Sequence, residues 1–197
     1  MIFSSLSFII IFLPLVLLCY YIVPTKFKNL ILLIFSLIFY YIGEQNWVFL
    51  MLLSSLIAYI SGIFLIRLQK KRLRKIVLSL AILINIGLLG YFKYFNFLLE
   101  ALSQLFKFTY NKPDIILPLG ISFYTFQAIS YIIDVYKGAK PQKNYLNFAT
   151  YLTFFPQLIA GPIVRYEDIS KEIEASNRKI NLELFAFGVK RVLLWTS

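Results

Sequence analysis

The chain has 197 residues, 60% of them hydrophobic and 15% charged, with a mean hydropathy of +0.77 and a formal net charge of +11. A water-soluble domain of this size faces water over too much of its surface to carry so apolar a composition, whereas lipid accepts it. With no histidine and one cysteine, these residues exclude histidine acid–base chemistry, histidine metal sites and a disulfide framework.

A membrane-crossing helix needs about 20 mostly apolar residues. The first candidate, 3–23, has that length and lacks both a basic leading region and a small-residue cleavage site, so it reads as a retained helix. Cys19 inside it reads as a small buried hydrophobe. Turn signals at Pro24-Thr25-Lys26 and Gly43-Glu44-Gln45-Asn46 bracket a shorter second span, 28–43. A third span, 47–66, runs into Arg67-Leu-Gln-Lys-Lys-Arg-Leu-Arg-Lys75, which holds six of the 20 basic residues. The fourth follows at 76–98, and Lys93 near its far end reads as a lysine snorkelling among Tyr91 and Tyr94.

Charge sorts these spans. With the N-terminus outside, the loops at 24–28, 67–75 and 137–143 lie inside with eleven basic residues, against two in the outside loops. The positive-inside rule therefore predicts a multi-pass protein of the cytoplasmic (inner) membrane with an extracytoplasmic N-terminus. The positive charge is then owed to the lipid bilayer and not to a nucleic-acid partner.

From Pro113 the pattern changes. The segment 115–136 is apolar but studded with polar groups, and Pro118 and Gly120 break its start, so the helix proper begins near Ile121. Gln127, Ser130 and Asp134 fall within about 60° of one another at about 100° per residue. Such a stripe faces other helices or a water-filled cavity, not lipid. Asp134 has two readings: part of a polar tunnel, or a hydrated carboxylate at the interface three residues before Lys137.

The next segment, 145–163, is uninterrupted only to residue 155, about 16 Å of helix, before Pro156 and then Gly161-Pro162 break it. Broken backbone at membrane depth is tolerated only against protein or a water cavity. A re-entrant element lining a cavity, with Gln157 on it, is one reading; an ordinary proline-kinked span is the other. Residues 165–183 alternate charges as an interfacial segment does. Arg165 there suits the phosphate or carboxylate of a donor, or pairing with Glu167, Asp168 or headgroups. A last apolar stretch, 184–197, carries Lys190-Arg191 and reaches Ser197 without a boundary signal, so the chain is expected to be incomplete at its C-terminus. The expected fold is all-α and polytopic, one membrane domain over 1–197 with no internal repeat.

Two stretches carry a resemblance. Leu117-Pro-Leu-Gly-Ile-Ser-Phe-Tyr-Thr-Phe-Gln-Ala-Ile-Ser-Tyr-Ile-Ile-Asp-Val-Tyr-Lys-Gly138 and Phe154-Phe-Pro-Gln-Leu-Ile-Ala-Gly-Pro-Ile-Val-Arg-Tyr166 resemble the membrane-bound O-acyltransferases, in particular their bacterial alginate O-acetylation branch. The D-alanyl-transfer branch looks less similar in these stretches. The resemblance implies a helical funnel with a central tunnel. It implies an acyl group, acetyl above all, taken from a cytoplasmic donor such as acetyl-CoA or an acylated carrier. That group is delivered across the membrane to a polysaccharide, often through a separate extracytoplasmic acetyltransferase. No bound cofactor is implied. The family's catalytic histidine lies well C-terminal of the second stretch, so the resemblance assigns no catalytic residue to these 197. Gln127, Ser130, Asp134, Gln157 and Arg165 remain as cavity-lining candidates, with Pro118, Gly120, Pro156, Gly161 and Pro162 as helix breaks. The competing expectation is a transporter or channel fragment, whose broken helix and polar stripe bind an ion or solute.

Overall fold

A computed structural model of the chain describes residues 7–107, 113–160, 164–174 and 187–188. Every regular element among the described residues is helical. The first helix, α1 (Phe8–Ile22), opens as a π-helix over Phe8–Phe12 and continues as an α-helix from Leu13. Pro14 explains the change: it cannot donate to the carbonyl four residues back, so the turn before it widens. A 3-10 turn at Thr25–Phe27 leads into α2 (Lys28–Glu44), and α3 (Val48–Arg67) and α4 (Lys71–Phe106) follow. The helices Thr25–Glu44, Val48–Arg67 and Lys71–Phe106 are long and apolar enough to cross a membrane.

The expected loop at 67–75 shrinks to three residues. Lysine and arginine are good helix formers, so α4 starts at Lys71 and the basic run becomes its first turns. At its other end α4 continues through the segment expected to be a loop from residue 99, and stops where Lys107 turns left-handed (φ 51°). Its 36 residues extend about 54 Å, so the span expected at 76–98 is the middle of a much longer rod.

Residues 113–120 are not helical. Gly120 (φ 73°) starts α5 (Ile121–Lys137), later than the expected bound of 115 and at the residue that the proline–glycine break marks. Gly138 (φ 116°) ends it, with its N–H bonded to the Val135 carbonyl and that of Ala139 to the Asp134 carbonyl, a glycine-terminated helix end. Instead of one helix over 145–163, the chain forms α6 (Tyr145–Thr153) and α7 (Phe155–Ala160), then α8 (Tyr166–Glu174). The apolar stretch expected at 184–197 lies outside the described residues except for 187–188.

The α3–α5 contact is the most extensive between elements, with α4 on α5 next. Small residues on α3 at four-residue spacing, Ser54, Ala58 and Gly62, are buried and let the backbones approach. At Gly62 an added Cβ would stand 2.7 Å from the Tyr131 hydroxyl. A second core joins α1, α2 and α7 through Phe8, Phe12, Phe39 and Phe155, whose ring centroids lie 5.4–6.0 Å apart.

The bundle has two chemically different ends. At one, Arg74 Nη2 donates to the Tyr136 carbonyl (2.8 Å), Tyr59 Oη to that of Lys143 (2.7 Å), and Asn29 Nδ2 to Asn147 Oδ1 (2.8 Å). The starts of α2, α4 and α6 therefore meet the ends of α3 and α5 there, and the three basic loops share that end. At the other, Tyr40 Oη donates to the Leu119 carbonyl (2.8 Å) and Lys93 reaches Ser122 Oγ (3.5 Å).

Candidate functional site

The broken segment enters from the basic end. Asn144 caps α6 by accepting from the Leu146 N–H (2.9 Å), and α6 then packs against α2, with Thr150 Oγ1 donating to the Asn29 carbonyl (3.1 Å). The helix stops at Phe154 (ψ 109°), two residues before Pro156. Pro156 would have crowded the preceding turn and left the Leu152 carbonyl without its donor. In the first turn of α7 its missing N–H costs nothing. The Phe155 N–H, freed by the break, bonds Ser36 Oγ on α2 (3.3 Å). Leu158 of α7 then reaches Gly120 at the far end of α5.

The chain comes back. Tyr151 Oη on α6 donates to the Val164 carbonyl (2.7 Å), and two residues later Tyr166 is held by Gln142 Nε2 (2.6 Å) at the basic end. Asn144 and Tyr166, on either side of the segment, both bond Gln142 at the basic end, which is the arrangement of a re-entrant element. Of the breaks expected to shape it, Pro156 is in place, while Gly161 and Pro162 lie outside the described residues.

The polar interior divides into a paired and an unpaired part. At the basic end Gln142 is 3% exposed and ties three elements together. Its N–H donates to Tyr131 Oη (3.1 Å), its Nε2 to Tyr166 Oη and Glu174 Oε1 (2.9 Å), and its Oε1 accepts from the Asn144 N–H (2.9 Å). Burial pushes the Tyr166 hydroxyl well above its ordinary range and the Glu174 carboxylate adds to the shift, so Tyr166 stays a neutral donor.

Deeper in, the buried side-chain atoms Tyr124 Oη, Gln127 Oε1, Asp134 Oδ2 and Gln157 Oε1 find no partner among the described residues. Three of the five lining candidates are therefore on this set, from α5 and α7. Helical geometry explains the grading along α5. Its buried face centres near Ala128 and Val135, so Gln127 lies at the edge of it, with Asp134 about 20° and Ser130 about 60° further out at about 100° per residue. Gln127 is accordingly buried, and Asp134 and Ser130 are half-buried. Arg165 is exposed, between α7 and α8, and does not join the set. Pro118 and Gly120 position the start of α5, where the Ile121 N–H bonds the Pro118 carbonyl (3.3 Å).

Unpaired carbonyl-type oxygens in a dry interior are costly, and they are suited to hydroxyl, amide or water donors. Each glutamine also presents an amide donor. The set can line a path for a small polar group, but it holds no nucleophile–base pair. No grouping of histidine, cysteine and carboxylate residues among the described residues could hold a metal ion. Sequence reasoning passed over Tyr124, although it sits three residues before Gln127 on the same face. Gln142 gave no signal, lying in a short basic loop.

The chain is 37% identical over 202 residues to a probable alginate O-acetylase of Azotobacter vinelandii, covering 98% of this chain and 40% of that protein. It is 30% identical over 225 residues to a peptidoglycan O-acetyltransferase of Helicobacter pylori, covering 96% of this chain and 43% of that protein. A teichoic acid D-alanyltransferase of Lacticaseibacillus rhamnosus matches at 36% over 56 residues, 28% of this chain and 14% of its own length. The chain thus spans about 40% of the length of the O-acetylating relatives it matches. No family model and no solved structure matches it.

Proposed function

We infer that this chain, which belongs to the membrane-bound O-acyltransferase family, forms part of the wall of a transmembrane acetyl-transfer path. The observation that carries the reading is the likeness to O-acetylating enzymes, which runs over nearly the whole chain and not over one motif. The basic end faces the cytoplasm, which puts the N-terminus outside and the protein in the cytoplasmic membrane. Donor acetyl groups, from acetyl-CoA or an acylated carrier, arrive at that end. The acceptor is an extracytoplasmic polysaccharide such as alginate or peptidoglycan, reached directly or through a separate acetyltransferase outside.

In the transfer, an acceptor hydroxyl oxygen attacks the thioester carbonyl carbon. The new C–O bond replaces the C–S bond, and the hydroxyl proton passes through a base to the departing thiolate. The family resemblance makes a histidine that base, and these residues contain none. Their own part is to hold and shield. The amide groups of Gln127 and Gln157 can bond the acetyl carbonyl, and the aromatic core around the re-entrant element keeps hydrolytic water away.

The test is the alkali-labile acetate of the cell-envelope polysaccharides in a gene-deletion strain, complemented with wild type or with Gln127→Leu and Gln157→Leu. Deletion should remove acetate and wild type restore it. Each variant should restore about tenfold less at equal membrane abundance, the loss expected for one buried hydrogen bond to the reacting group. Unchanged acetate after deletion would refute the assignment and leave the cavity to solute or ion transport.

A further inference from the structure

A groove of about 740 Å³ lies outside the polar interior, between the last two turns of α3 and the loop that follows α5. Its floor is apolar (Ile60, Ile63, Phe64, Ile66) and its rim carries Arg67, Lys140 and Lys143, with no acidic residue in the lining. We propose that this groove binds an anionic phospholipid, its phosphate between Arg67, Lys140 and Lys143 and an acyl chain along Ile60 and Phe64.

Three observations favour that occupant. First, the floor faces outward: Ile60, Phe64 and Ile66 are 42%, 51% and 54% exposed at the end of a helix long and apolar enough to cross a membrane. An acyl chain at that depth is already in hydrocarbon. Second, Arg67, Lys140 and Lys143 line the same groove as the apolar residues, so a molecule that joins an anionic group to an apolar chain meets a partner for each. Third, the rim is held in place. Tyr59 Oη, itself in the groove wall, donates to the Lys143 carbonyl (2.7 Å), and the neighbouring Gln142 is anchored by its bonds to Tyr131, Tyr166 and Glu174. Lys140 and Lys143 are thus presented beside Arg67 by a loop whose ordering cost is already met by folding. The groove is separate from the acetyl-transfer path, and the proposal does not depend on that reading.

The experiment uses the full-length protein purified in an uncharged maltoside. Affinity is measured by native mass spectrometry and by the shift in melting temperature on adding phosphatidylglycerol. Phosphatidylcholine of the same chains, inorganic phosphate and coenzyme A are the comparison arms. Phosphatidylglycerol should be retained and raise the melting temperature, and the other three should not. Arg67→Gln, Lys140→Gln and Lys143→Gln should each weaken phosphatidylglycerol about fivefold, and the triple variant on the order of a hundredfold, as expected for basic groups near an anionic headgroup. The triple variant Lys71→Gln, Arg72→Gln, Lys75→Gln, equal in charge but outside the groove, should keep the preference. Equal retention of both lipids, or an equal loss in the two triple variants, would overturn the site. Protection by coenzyme A or phosphate as strong as that by phosphatidylglycerol would overturn the lipid as its occupant.

Discussion

Replacing Gly62 by alanine tests the close approach of α3 to α5. A Cβ there would stand 2.7 Å from Tyr131 Oη, 2.9 Å from its Cε1 and 3.1 Å from its Cζ, against about 3.5–4.0 Å for a comfortable carbon contact. The ring must therefore move by roughly 0.5–1 Å, and it is packed against Phe148 at 4.4 Å and Tyr166 at 5.4 Å between centroids. Overpacking of this kind costs about 1–3 kcal/mol. The shift also strains the 3.1 Å bond from the Gln142 N–H to Tyr131 Oη, worth about 1 kcal/mol. Alanine returns about 1 kcal/mol of helix propensity, leaving a net loss of about 1–3 kcal/mol. Gly87, in the exposed middle of α4, has nothing within 4 Å of its added Cβ and should show the propensity gain alone. The assay is thermal unfolding of the detergent-solubilised full-length protein. Gly62→Ala should melt below wild type and Gly87→Ala at or above it, and Tyr131→Phe should cost less in the Gly62→Ala background than in wild type. Equal melting of the two alanine variants would refute the reasoning.

Gln142→Ala removes three side-chain hydrogen bonds from a buried position and strands the Asn144 N–H. It should cost about 2–4 kcal/mol and release α8, read as faster proteolytic cleavage between residues 164 and 174 in proteoliposomes. The raised pKa of Tyr166 has a definite sign in stability. Its contribution is fully present below the ordinary tyrosine value of about 10 and is lost as pH rises through that value toward the folded one. Melting should therefore be flat in this respect from pH 7 to about 9 and fall above about 10, and Tyr166→Phe should fall less steeply over that range. An identical slope in the variant would show that Tyr166 does not contribute to it.

The helices that cross were legible because composition and period report burial in lipid directly. The run of 17 to 20 apolar residues in α2 and α3, and the sorting of basic residues to one end, required no knowledge of packing. The ends of α4 were not legible in the same way. A polar run beside a span signals exit from hydrocarbon, and charged residues with high helix propensity leave the membrane without leaving the helix. Loop and helix were therefore confused at 67–75 and again beyond residue 98, while Gly120, whose left-handed backbone only glycine adopts cheaply, marked the start of α5.

The site was legible wherever its cost was written into the residue type. Gln127, Asp134 and Gln157 stood out because amides and carboxylates in an apolar run must answer to something, and each has a buried oxygen without a partner among the described residues. Gln142 did not, because a glutamine among lysines looks solvated, and its burial depends on α8 returning across the end of α5. The break before Pro156 stops α6, α7 then carries Leu158 to Gly120 at the far end, and Tyr166 stands back at the basic end. Sequence showed the break but not its direction; the direction is fixed by where the freed polar groups find partners. The Phe155 N–H finds Ser36, the Val164 carbonyl finds Tyr151, and Tyr166 finds Gln142. Of the buried oxygens left without a partner among the described residues, those of Tyr124, Gln127, Asp134 and Gln157 lie on α5 and α7 and that of Asn96 on α4, so the re-entrant segment and the helix beside it carry most of them.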